Sequence, residues 1–435
     1  MRQIWLQIWL LLTLQLLSLR TIRPEERILN RSAQEIARVG IKRVAFDANS
    51  IGNGRMYYTN LDRLRNVVLA LRNASLNAAL QRMDQLLASN RAEGKLQQPV
   101  PADQPFPCNL TQARSGQPPS HIWELRPGDI DITAAFGDSV IAGNGLLSQR
   151  YMDVFSEFRG YSFLGGGLGN WRTALTLPNL LKLYNPQLYG FARTHGLVAD
   201  REKSVFNIAE PMLTMRDLPY QAHVLIERLR SDPRVNMQQH WKLLNIQVGM
   251  NDMCFELCSW TDTEQYLRLQ RQHAYRAFSM LRDHVPRLMI NWILLPDLDD
   301  LLRTLRGFPA QCNLRVICSC LTGNYRAHYP DAVRRLQRMQ WELAELPEFR
   351  RNDFVIVPHQ VLANMSGIVY TQGVLSTRYF THDCMHFSQR MHAIMAGALW
   401  NSMLQPLNVT AARAWRRPLQ NMVCPSAERP FLRIS

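Results

Sequence analysis

A chain of 435 residues that is 46% apolar and 20% charged is too hydrophobic for a disordered protein and long enough for one large domain. Its formal charge of +15 favours anionic surfaces. The arginines are scattered, however, and no aromatic-interleaved basic stripe marks a nucleic-acid binder. At the N-terminus, Arg2 precedes an apolar run from Ile4 to Leu19, and charge resumes at Arg20. That is the shape of a secretory signal over residues 1–19, short for a membrane span. Residues 20–100 then read as a helical segment, because "LRNVVLALRNASLNAALQRMDQLLASN" repeats its apolar residues every three or four positions. A proline-rich passage over 101–120 reads as a linker into a new unit.

From residue 121 the pattern alternates. Strands are predicted at "DITAAFG" (131–137), "SVFNIA" (204–209), "WKLLNIQVG" (241–249), "RLMINWILLP" (287–296) and "DFVIVPHQ" (353–360). Helices are predicted between them over 217–230, 263–285 and 332–346. Near-continuous apolar strands alternating with helices indicate an α/β domain with a mostly parallel sheet covered on both faces, here taken as 121–410 with a tail over 411–435. Sites in such sheets lie beyond the carboxyl ends of the strands.

The chemistry-bearing residues fall there. Ser139 follows the first strand in "GDS", Asn251 and Asp252 follow the third in "GMND", and Asp383 and His386 stand in "HDCMHFS" before the last helix. A serine hydroxyl needs an adjacent base, a histidine base needs a carboxylate to fix its tautomer, and the developing oxyanion needs donors. Ser139, His386 and Asp383 fit the first three roles. Asp252 is a rival for the carboxylate. The Asn251 amide and a backbone N–H in "FLGGGLGN" are candidate oxyanion donors. His382 and His386 lie four apart without the H-E-x-x-H pattern, so no metal site is indicated.

All eight cysteines lie after the signal and lack C-x-x-C spacing, so they read as disulfides and not as zinc ligands. Cys384, between Asp383 and His386, is expected to be bridged to a partner the sequence leaves open. Sequons at Asn30, Asn73, Asn109, Asn364 and Asn408 agree with a secreted glycoprotein.

The order Gly137-Asp138-Ser139, glycines 165–167, Gly249-Met250-Asn251-Asp252 and Asp383-Cys384-Met385-His386 resembles the GDSL, or SGNH, hydrolase family. "ELRPGDIDITAAFGDSVIAGNG", "RGYSFLGGG", "FNIAEP", "VGMNDMC" and "DCMHFS" resemble its animal phospholipase B branch. The resemblance implies a three-layer α/β/α sandwich of the flavodoxin-like SGNH type, with the N-terminal helical segment added. It implies Ser139 as nucleophile, His386 as base, Asp383 as its orienter, and Ser139 N–H, Gly167 N–H and Asn251 as the oxyanion hole. It implies no metal and no organic cofactor. The expected substrate is a glycerophospholipid or lysophospholipid, met at a membrane surface. A general carboxylesterase or acetyl-esterase, or a non-catalytic binding protein of the same fold, are the alternatives. Val140, Leu168 and Met250 depart from the family pattern at the edge of the pocket.

Overall fold

A computed structural model describes residues 58–111, 113–310, 312, 318–322, 330–362, 365–405, 419 and 422–434. The chain divides into two units, Met1–Val67 and Val68–Ser435. Apart from the helical backbone of 58–67, everything described belongs to the second. The signal expected over 1–19 and the sequons at Asn30, Asn364 and Asn408 lie outside the described residues, whereas Asn73 and Asn109 are exposed.

Two helices open the described chain, α1 (Tyr58–Gln81) and α2 (Met83–Ala92). The sheet follows. Strand β1 (Ile130–Gly137) pairs in parallel with β2 (Trp241–Gln247), β2 with β3 (Leu288–Ile293), and β3 with β5 (Phe354–His359); the two-residue β4 (Arg350–Arg351) closes one edge antiparallel to β5. Strands β2, β3 and β5 are buried at every position, as strands covered on both faces must be.

Alternation along β3 sorts the two faces. Trp292 points toward Phe278 on α6 (Thr263–His284), with ring centroids 4.8 Å apart, an edge contact worth about 0.5–1.5 kcal/mol beyond the area it buries. The neighbouring Asn291 points the other way. Its Nδ2 donates to Asn245 Oδ1 at 2.9 Å, while His359 Nε2 pairs with Asn291 Oδ1 at 2.9 Å. His359 Nδ1 lies 2.8 Å from Ser402 Oγ at the end of α9 (Gln389–Ser402). This buried row of polar side chains crosses the middle of the sheet with its hydrogen bonds met internally. Helices α5 (Leu218–Ser231) and α8 (Pro330–Ala344) pack against α6, and α9 packs against α4 (Leu177–Tyr184). The result is the expected three-layer sandwich with a mostly parallel sheet.

Two expectations are corrected. The run 204–209 is not a strand of the sheet: Arg201–Ser204 makes one helical turn and Val205 turns at φ +48°. Phe206–Ile208 then run extended beside β1, with Ala135 N–H donating to Phe206 O at 3.0 Å and Ile208 N–H to Ala135 O at 2.9 Å. The passage 101–120 does not join separate units, because 68–435 forms one. It is seated on the body: Phe106 meets Trp171 edge-on at 5.2 Å, Trp241 Nε1 donates to Pro119 O at 2.9 Å, and Cys108 is bridged to Cys424. The described end of the chain is seated too, since Leu432 N–H donates to Leu125 O at 2.7 Å.

Candidate active site

Strand β1 ends because Gly137 takes φ +150°, where a side chain would run into the Gln247 carbonyl and Ile141. Asp138 then caps the short helix α3 (Ser139–Ala142), accepting from Val140 N–H at 3.0 Å, and Gly143 closes it in the left-handed region at φ +74°. Ser139 is the first helical residue and is 6% exposed. Its N–H lies where a helix leaves donors unsatisfied. Among the described residues neither that N–H nor Oγ has a hydrogen-bond partner.

The second element is the turn Thr381–His386. Asp383 Oδ1 accepts from Thr381 Oγ1 at 2.5 Å, Met385 N–H at 3.0 Å and His386 N–H at 3.1 Å. Its Oδ2 lies 2.6 Å from His386 Nδ1, which fixes the Nδ1–H tautomer or the imidazolium. His386 Nε2 is buried and has no hydrogen-bond partner among the described residues. The turn abuts the segment after α3, where His382 N–H donates to Ser148 Oγ at 3.1 Å and Tyr151 meets the His382 ring edge-on. Cys384 sits at φ +61° and is bridged to Cys312, which supplies the partner the sequence left open.

Burial alone would raise the Asp383 pKa. The adjoining His386, its hydrogen bonds and that of Thr381 outweigh burial and hold the carboxyl well below the usual range. Burial lowers the His386 pKa, but the Asp383 charge and hydrogen bond, with Asp138 adding to them, carry it above the ordinary histidine value. Asp138 itself is pushed up to about 6 by burial, against the Val140 N–H and His386.

Asp252 does not reach this histidine. Its carboxyl accepts from Met215 N–H at 3.1 Å and Tyr266 OH at 3.1 Å, and burial, then Glu256, push it to about 8. The rival carboxylate is therefore a buried brace of the Met215 turn. Asn251 lies next to it and is 3% exposed; one amide hydrogen goes to Leu213 O at 2.8 Å, which leaves the other. The expectation for Gly167 is corrected. Its N–H donates to Ala192 O at 2.9 Å, and a side chain there would overlap the Phe191 ring. The glycine block is needed for close packing.

Sequence reasoning passed over Met212. It takes φ +68°, is 69% exposed, and its N–H has no acceptor among the described residues. It lies between two fixed points: Glu210 N–H donates to Gly137 O at 3.1 Å, and Leu213 O takes the Asn251 amide. A left-handed methionine carries no mark in the sequence, because the strain belongs to the backbone.

A serine with a free hydroxyl, a histidine with one free nitrogen and a carboxylate on the other are the parts of an acyl-transfer site. Residues 134–399 match the family of GDSL-like lipases/acylhydrolases. The chain belongs to that family. It is similar to the membrane-associated phospholipase B1 of Homo sapiens, 32% identical over 344 residues that cover 75% of this chain and 22% of the relative. It is likewise 32% identical to the Mus musculus protein of that name, over 73% of this chain and 22% of the relative. The chain thus spans about a fifth of the length of these curated relatives, at 22%.

Proposed function

We propose that this chain releases fatty acids from glycerophospholipids or lysophospholipids, with Ser139 as nucleophile, His386 as base and Asp383 as the carboxylate that orients it. The observation that carries the reading is the 2.6 Å contact of Asp383 Oδ2 with His386 Nδ1 while His386 Nε2 stays buried and, among the described residues, unpartnered. Hydrogen bonds to the nucleophile are often long before substrate arrives and tighten in the complex. His386 Nε2 takes the Ser139 proton as Oγ attacks the ester carbonyl, then returns it to the departing glycerol oxygen. Water, deprotonated by the same nitrogen, releases the fatty acid from the acyl-serine.

The oxyanion is held by Ser139 N–H, the second amide hydrogen of Asn251 and, in place of Gly167, the N–H of Met212. The lipid assignment rests on the names of the relatives. Passage through the secretory route and binding at a membrane surface belong to the same proposal, supported by four disulfides among the described residues.

The test is fatty-acid release from phosphatidylcholine, lysophosphatidylcholine and a short-chain aryl ester by the wild-type chain and Ser139→Ala, with an organophosphonate probe to mark the nucleophile. Release from a lipid, lost in Ser139→Ala, with the probe on Ser139, is expected. Turnover of the aryl ester alone would leave a general esterase. A probe on another serine would overturn the assignment of the nucleophile.

A further inference from the structure

We infer that Arg72, Glu157, Arg159 and Asn207 form a positioning network for the nucleophile, which makes helix α1 part of the catalytic apparatus. This rests on the proposed role of Ser139. Helix α3 has four residues, too few to satisfy its own carbonyls, so its geometry depends on outside donors. One donor is Asn207, whose Nδ2 reaches Ile141 O at 3.2 Å. Asn207 is 0% exposed, and Arg159 holds its Oδ1 at 3.0 Å.

Arg159 is 0% exposed as well and also donates to Gly196 O at 2.8 Å and Ala209 O at 2.7 Å. A buried guanidinium needs a counter-charge, and Glu157, also 0% exposed, gives it one through Oε2. The other oxygen of Glu157 takes Arg72 of α1, with Nε at 2.8 Å. The chain of contacts therefore runs from α1 through two buried charges to the helix that begins with Ser139.

Backbone pairing follows the same line. Phe158 N–H donates to Gly143 O at 2.9 Å and Gly145 N–H to Ser156 O at 2.9 Å. Ser75 of α1 and Arg82, between α1 and α2, also grip this segment: Ser75 Oγ lies 2.8 Å from Ser156 Oγ, and Arg82 reaches Asp153 at 2.7 Å. One branch of the network ends on the Ile141 carbonyl, two residues from Ser139 on the same helical turn. Small displacements of a nucleophile are costly, on the order of a hundred-fold for 1 Å.

Asn207→Asp keeps the acceptor for Arg159 and removes the donor to Ile141 O, so it cuts the last link alone. Arg72→Gln cuts the first, and Arg72→Lys restores its charge. For Asn207→Asp and Arg72→Gln we expect kcat and the rate of phosphonate labelling at Ser139 to fall together by about ten- to a hundred-fold. KM and the pH midpoint of kcat/KM stay in place, and Arg72→Lys recovers part of the loss. If Arg72→Gln does not fold, Asn207→Asp decides alone. A lowered melting temperature with unchanged kcat per active site in Asn207→Asp would overturn the inference. A wild-type chain that is not labelled on Ser139 overturns the nucleophile assignment and this inference with it. A labelled wild type with variants at its rate overturns only the inference.

Discussion

The turn Thr381–His386 and the helical segment Gly249–Glu256 each hold an aspartate at the same end of the sheet, yet they drive the two carboxyls in opposite directions. Asp383 meets three donors on one oxygen and a histidine on the other, and it is held well below the ordinary range despite its burial. Asp252, 0% exposed, meets one N–H and one phenol, with Glu256 as a like charge nearby, and rises to about 8. Burial raises both. The number and charge of the donors decide which effect wins. One carboxyl is thus an anion that can hold an imidazolium, and the other is a neutral acid at pH 7 that holds a loop.

The largest effect that sharpens this contrast is in turnover. Asp383→Asn removes the anion and leaves His386 in the wrong tautomer, which should cost about 10³–10⁴ in kcat by analogy with the serine-protease triad. Asp252→Asn replaces a neutral acid with a neutral amide and should change kcat by no more than a few-fold. Both are measured on an aryl ester, with circular dichroism to check folding; a larger loss at Asp252 would break the contrast. The pH profile carries the same information. Protonated His386 cannot take the Ser139 proton, and its neighbours favour that form, so kcat/KM should rise with pH through a midpoint above the usual 6.5. Asp383→Asn should move that midpoint down.

For Asp252 the sign falls on stability. Its folded pKa of about 8 exceeds the unfolded 3.8, so the folded chain keeps a proton that the unfolded chain releases. This contribution is complete below pH 3.8, declines as pH rises to about 8 and then levels; Asp252→Asn should flatten the decline in a melting series.

A smaller effect separates the turns by their covalent pins. Cys384 ties the first segment to Cys312, while Cys254–Cys318 ties the second and Cys258–Cys320 lies just after it. Replacing Cys312 and Cys384 together by serine should lower kcat about ten-fold by loosening the turn that carries His386. Equal loss from replacing Cys258 and Cys320 would show that the pins act on the whole fold.

The smallest effect concerns the loop that Asn251 and Asp252 hold between them. Met212→Gly relieves a left-handed backbone but frees the unfolded chain, so stability should rise by only about 0.5–1 kcal/mol. kcat should not change, because the proposed contribution is a backbone N–H. A large loss of kcat would mean that the methionine side chain, 69% exposed, touches substrate.

Much of this protein is determined by sequence alone. Apolar runs long enough for strands buried on both faces, separated by amphipathic helices, dictate β1, β2, β3 and β5 with α5, α6 and α8, because burial of a two-sided sheet requires them. The separation of Asp383 from His386 by three residues dictates that one short turn can bring them together. Tertiary structure alone decided the rest. Which carboxyl meets His386 was not legible from spacing alone: Asp383 finds its donors within three residues, whereas Asp252 takes Met215 N–H and Tyr266 OH from other elements. Gly167 looked like an oxyanion donor until Ala192 took its N–H, and Met212 looked like nothing until its backbone was seen in the left-handed region. The proline-rich 101–120 read as a linker because composition reports flexibility and not the surface that a segment lies on. Periodicity records which face of an element is apolar. It does not record which atom on a distant element completes a hydrogen bond, and a catalytic site consists of such completions.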